Sequence, residues 1–199
     1  SHFGPAFDAG MAAHLKEIDV IANNPQPPTF ENTIIAMERS GDVLDRASTV
    51  FYALVGADTN DERNKLRKEY STKFAAHNDA VNLNSKLFAR IDALYGKRAE
   101  LKLDAESLRL LERYHNDFVR SGAKLSEADK AKLKAMNAEL AALNSQFSQN
   151  VLDEVNAAAV VVDDVKELDG LTPAQIATAA EEAKSRGLEG KYVLTLLNT

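Results

Sequence analysis

Apolar residues recur at helical spacing along most of this chain. From Pro5 to about Asn23, Phe7, Met11, Leu15 and Ile18 follow at intervals of four, four and three, which draws one stripe down a helix. The polar "NNPQPP" that comes next reads as a linker. A second helical segment runs from Thr29 to about Val55 and carries Phe30, Ile34 and Met37, with a kink or break expected at Ser40-Gly41. Proline fixes its own φ and disfavours helix in the residue before it, so Pro27-Pro28 is a stiff connector that aims this segment. Asn60 opens a third segment, with acids in the first turn where the helix dipole favours them, and "NLNS" is expected to interrupt it. A fourth spans Asp104 to Ser121 and closes on Gly122, a residue suited to a left-handed C-terminal cap.

The fifth segment has the clearest pattern. Ser126 with Asp129 makes a capping-box signature, and Leu133, Met136, Leu140, Leu143, Phe147, Val151 and Val155 follow at intervals of three or four. Such a stripe is either a coiled-coil seam or the inner face of a bundle; as core, it would make Leu140 and Phe147 costly to truncate. Beyond Asn156 the pattern changes: Ala159 to Val162 and Tyr192 to Leu197 are strand-like, and between them Thr172, Pro173 and Gln175 open a short helix with a capping box. The strands could pair through a right-handed crossover if parallel. The expected fold is mainly α, a bundle of long antiparallel helices over residues 1–156 with a small β-α-β tail over 157–199.

Composition narrows the function classes. A net charge of -6 without clustered Lys and Arg argues against a nucleic-acid or anionic-membrane partner. The absence of cysteine rules out a disulfide framework and thiolate metal ligands within these 199 residues. No apolar run reaches the roughly 20 residues of a transmembrane helix, and "SHFGPAF" does not read as a signal peptide.

Candidate chemistry is sparse. Glu112 and His115 have the Glu-x-x-His spacing of di-iron bundles, but no second such pair occurs, so a surface or half-buried polar contact is the favoured reading. His14 and Glu17 read as solvated; His77, beside Asn78 and Asp79, reads as a helix interruption or a polar rim. The Phe and Tyr residues sit at helical spacing and are assigned to the core. No Ser-His-Asp set, Gly-rich phosphate loop or basic aromatic patch can be drawn. No catalytic, cofactor-binding or metal-binding residue is assigned.

Taken in order, "PPTFENTIIAMERSG", "NLNSKLFARIDALY", "LLERYHNDFVRSGAKLSEADKAKLKAMNAELAALNSQFSQNVL" and "LDGLTPAQIATAAEEAKSRGLEGKYVLTL" resemble the N-terminal region of bacterial peptidyl-dipeptidases. These belong to the thimet oligopeptidase and oligopeptidase A family of zinc metallopeptidases, and "YHNDFVRSGA" and "LNSKLFARI" lie nearer the dipeptidase branch. The resemblance implies a helical wall of a deep channel that admits only short peptides. It also implies a hydrolase, a carboxypeptidase releasing dipeptides, in the bacterial cytoplasm or periplasm.

One departure limits what carries over. Catalysis in that family depends on a His-Glu-x-x-His helix that binds zinc and supplies the general base. Here His2, His14, His77 and His115 are each followed by a residue other than Glu. The chain is therefore expected to be the front, non-catalytic part of such an enzyme, its partner being a C-terminal catalytic region that brings the zinc. The apolar "YVLTLL" near Thr199 supports the same expectation, since a strand of that kind needs covering on both faces. The alternative is a stand-alone helical module that binds a partner helix along the Leu133 to Val155 stripe.

Overall fold

The computed structural model describes residues 2–196, and the fold is mainly α. Two compact units meet in the sequence at Ser145 and Gln146. The first holds α1 (Phe3–Ala22), a π-helical turn (Phe30–Ile35) that runs into α2 (Ala36–Glu38), α3 (Asp42–Ala57), α4 (Asp61–Asn82), α5 (Ser85–Gly96), α6 (Ala105–Arg120) and the start of α7 (Glu127–Ala157). The second holds the rest of α7, β1 (Val160–Val162), a 3-10 turn (Val165–Leu168), α8 (Pro173–Ser185) and β2 (Tyr192–Leu194).

The helix boundaries follow the capping chemistry. Asn60 accepts from the Arg63 amide, Asn84 from the Lys86 and Leu87 amides, and Asp104 from the Ser107 amide, each satisfying donors that the first turn leaves open. Asn84 thus splits the third segment into α4 and α5. At the end of α6, Gly122 takes φ +98° while its amide and that of Ala123 reach the Val119 and Phe118 carbonyls, a Schellman cap. Thr172 and Gln175 form the reciprocal box that opens α8.

The linker ahead of the π-helical turn is fixed by one buried cation. Arg90, on α5, donates to the Asn24 and Gln26 carbonyls and to Asn32 Oδ1. Asn32 in turn boxes the turn with Thr29 and donates to the Pro27 carbonyl at 3.0 Å. Pro27-Pro28 is therefore held at both ends.

Two apolar clusters fill the first unit. One gathers Ile18, Ile34, Met37, Leu87, Ile91, Leu111 and Phe118 from α1, the π-helical turn, α2, α5 and α6. The other is aromatic: Phe7, Phe51 and Tyr70 are buried with Phe3 and Phe74 against them. Phe7 meets Phe51, Tyr70 and Phe74 edge-on at 5.1 to 5.2 Å between ring centres, the geometry that aligns a ring edge with a neighbouring face.

Several expectations change. The kink or break expected at Ser40-Gly41 is a full break, because Gly41 takes φ +82° and α3 begins afresh at Asp42. The strands pair antiparallel, Val160 opposite Leu194 and Val162 opposite Tyr192, so no parallel crossover forms. Leu197 lies outside the described residues. The α7 stripe is not core: Met136, Leu140, Leu143, Phe147 and Val151 are exposed. Phe147 and Tyr52 likewise leave the set of buried aromatics.

Candidate functional site

A cavity of about 610 Å³ opens in the first unit where α1, α2, the turn into α3 and α6 come together. Its apolar side is Ile18, Met37 and Phe118; its polar side is His14, Glu38, Ser40 and Tyr114. Each polar group is held in place. α1 carries His14 one turn before Ile18, so packing of Ile18 in the core fixes where the imidazole points. Tyr114 Oη donates to Glu38 Oε1, and burial followed by that bond pushes the phenol well above its usual range.

The hydrogen bonds around His14 determine its tautomer. Ser40 Oγ donates to the Met37 carbonyl at 2.7 Å, so it can only accept from His14 Nε2, 3.3 Å away. His14 Nδ1 is then an acceptor, and His77 Nε2 donates to it across 3.0 Å. Both rings are neutral in this relay. Burial holds each below the usual imidazole range; the charge of Glu17 works the other way on His14, and that of His14 lowers His77 further. Glu17 does not face solvent alone: its Oε2 accepts from the Gly41 amide at 2.7 Å. Gly41 needs both its positive φ and its missing Cβ, which would lie 3.2 Å from His14 Nδ1.

These contacts bear on three readings. His14 is half-buried and partners the Ser40-Gly41 turn and α4, whereas Glu17 stays exposed as read while one of its oxygens holds the Gly41 amide. His77 interrupts nothing: α4 runs on to Asn82, with His77 and Asp79 buried, and Asp79 accepts from Asn137 Nδ2 at 2.7 Å. His115 is 7% exposed, stacks on Tyr95 at 3.7 Å between ring centres and lies 3.0 Å from Asp92. Glu112, a turn earlier, faces Arg109 instead, so the Glu-x-x-His spacing brings no two ligands to one point.

The residues present do not fit a zinc ion. Among the described residues no group of three His, Asp or Glu side chains could hold a metal. The one His-His approach is a direct hydrogen bond whose nitrogens are already committed to each other. Ser40 is not an activated nucleophile: its proton goes to the Met37 carbonyl, away from the imidazole. The cavity can bind through Glu38, Tyr114 and His14, but these groups assemble no hydrolytic set. No local signal marks Tyr114, Glu38 or Arg90, because their partners lie 58 to 76 residues away.

No protein-family model matches the chain. Individual proteins do. Dipeptidyl carboxypeptidase of Escherichia coli is 48% identical over 198 residues, covering 100% of this chain and 29% of that protein. The Salmonella typhimurium dipeptidyl carboxypeptidase is 46% identical over the same length, and oligopeptidase A of Haemophilus influenzae is 30% identical over 202 residues. The chain belongs to the peptidyl-dipeptidase and oligopeptidase A family. It spans 29% of the length of the two dipeptidyl carboxypeptidases, so the family's activity is a property of proteins much longer than this one. The match runs over 100% of this chain, so it does not rest on one shared motif. The higher identity lies with the dipeptidyl carboxypeptidases, in line with the "YHNDFVRSGA" and "LNSKLFARI" stretches. No described helix is long and apolar enough to cross a membrane.

Proposed function

We propose that this chain is the N-terminal, non-catalytic part of a bacterial zinc metallopeptidase that removes dipeptides from the C-termini of short peptides. In that reading it forms one wall of a channel and restricts which peptides reach the metal. The metal and the general base come from a C-terminal region of the same protein, which acts in the cytoplasm or periplasm. The observation that carries the reading is the 48% identity to a dipeptidyl carboxypeptidase over the whole of a chain whose four histidines form no His-Glu-x-x-His. Catalytic zinc needs about three protein ligands and an open position, which these residues do not offer.

The test compares two proteins, this chain and the product of the complete gene, on a blocked peptide with a free C-terminus. Zinc-dependent release of the terminal dipeptide is expected from the complete product and none from this chain, with or without added zinc. Release by this chain would overturn the non-catalytic role. The channel-wall role is tested on the complete product with peptides of rising length and a folded protein bearing the same C-terminal residues; equal rates on all of them would refute it. The exposed α7 stripe favours a second reading, a self-sufficient module that binds a partner helix. A downstream reading frame without His-Glu-x-x-His would decide for it.

A further inference from the structure

Between Ala135 and Val151, α7 has Glu139 as its single charged residue, in a chain that is 27% charged. Yet this stretch faces water. Met136, Leu140, Leu143, Phe147 and Val151 are 59, 55, 59, 69 and 47% exposed. A surface helix normally turns charge outward, as α4 does with Lys65, Lys68, Glu69 and Lys73. At about 100° per residue the five apolar side chains of α7 fall within roughly 80° of the helix circumference, one continuous stripe. Of the positions beside it, Asn137, Asn144, Gln146, Ser148 and Asn150 are polar but uncharged, and Glu139 is the one charge among them.

The charge pattern decides what kind of partner fits. A second copy in a two-stranded coil would need apolar residues every 3.5 positions on average and charged residues flanking the seam. The first three intervals, four, three and four, keep that repeat and the last, four, leaves it, while the flanks carry amides, a hydroxyl and a single carboxylate in place of paired charges. Depletion of charge to one residue in seventeen is the composition of an interface core, a helix covered on more than one face. A body large enough to do that is at hand: the relatives match this chain over only 29% of their length.

We infer that α7 from Met136 to Val151 is the face on which the remainder of the full-length protein docks, enclosing it as an internal helix. This rests on the reading that the chain is part of such a peptidase. The chain has no cysteine, so Leu140→Cys and Phe147→Cys each introduce a single thiol here. Maleimide modification at these sites is followed by peptide mass spectrometry in this chain and in the complete gene product. Thiol chemistry depends on access, so modification about tenfold slower in the complete protein is expected at both sites. Equal rates overturn the inference. Slow modification of the isolated chain that speeds up on dilution identifies a second copy as the occupant, and overturns it too. If a substituted full-length protein fails to fold, carbene footprinting of the unsubstituted proteins reads the same side chains with the same outcomes. Dipeptide release is assayed separately on the complete product. Protection without release sinks the peptidase reading alone; release without protection sinks the docking face alone.

Discussion

His77 Nε2 donates to His14 Nδ1 across 3.0 Å and so ties α4 to α1 over a separation of 63 residues. The bond requires an unprotonated His14 Nδ1, and His77 Nδ1 is buried without an acceptor that could take a second proton. Both imidazoles are held below their ordinary value, chiefly by burial. As pH falls below about 6.5 the unfolded chain takes up protons that the folded chain refuses. The pair's contribution to stability is therefore complete above that pH and is lost as pH falls through the lowered folded values. The urea midpoint of the wild type should drop between pH 7.5 and 5.5, and His77→Gln should show a smaller drop over that window. An unchanged pH dependence in the variant would remove the pair from this role.

Gly10 sets how closely α1 approaches α3. A Cβ there would sit 2.9 Å from the Leu44 Cα, a backbone atom that cannot swing aside. Alanine would gain about 1 kcal/mol in helix propensity, against an overpacking cost of about 1 to 3 kcal/mol. Gly10→Ala should thus lower stability in urea unfolding, whereas the same change at Gly96, where a Cβ meets nothing within 4 Å, should raise it.

Tyr70 joins the aromatic cluster to the start of α1, its hydroxyl 2.9 Å from the Gly4 carbonyl and 2.8 Å from Asp8 Oδ2. Phenylalanine keeps the ring packing and removes only the hydroxyl. Tyr70→Phe should cost about 1 to 3 kcal/mol, the range for a buried bond to a charged acceptor, by chemical denaturation. A loss within error would show that water replaces the phenol there.

Leu87 and Leu140 separate core from stripe. Leu87 is 0% exposed and Leu140 is 55% exposed. Leu87→Ala should cost about 2 to 5 kcal/mol, while Leu140→Ala in the isolated chain should change stability by less than about 0.5 kcal/mol. The contrast explains why periodicity alone left the stripe open between seam and core. Spacing reports that one face of α7 is apolar; it does not report whether anything packs on that face.

The same division runs through the rest of the molecule. Caps are local, so Asn84, Asp104, Gly122 and Thr172 could be read directly as boundaries, and the mainly helical fold follows from them and from the stripes. The direction of strand pairing is not local: Val160 and Leu194 carry no mark of antiparallel register. Nor does the π-helical geometry of Phe30–Ile35 leave a trace in a pattern that suits an α-helix equally well. The cavity was the least legible part. His14, Ser40 and Tyr114 line one cavity only because α1, the α2–α3 turn and α6 converge, and no residue alone carries a mark of it. Arg90 is similar: a charged residue on an apolar helix face gives no sign that three linker and turn groups wait for its guanidinium.

The tail should make the isolated chain weakly self-associating. Its described sheet has two strands, so β1 and β2 each keep one edge with unpaired amides and carbonyls. Val160 and Val161 are half exposed and Leu196 more so, which places apolar side chains beside those edges. Two strands are marginal without cover, and open edges recruit further chains. α8 protects part of the sheet, since Ala179, Ala183 and Val193 are buried, so association should be weak and concentration dependent. Light scattering on the full chain and on a version ending at Asn156 separates the contributions. Loss of association in the shortened version is expected. Equal association in both would move the contact to the α7 stripe, and a monomer at every concentration would mean that α8 and the sheet's twist already shield the edges.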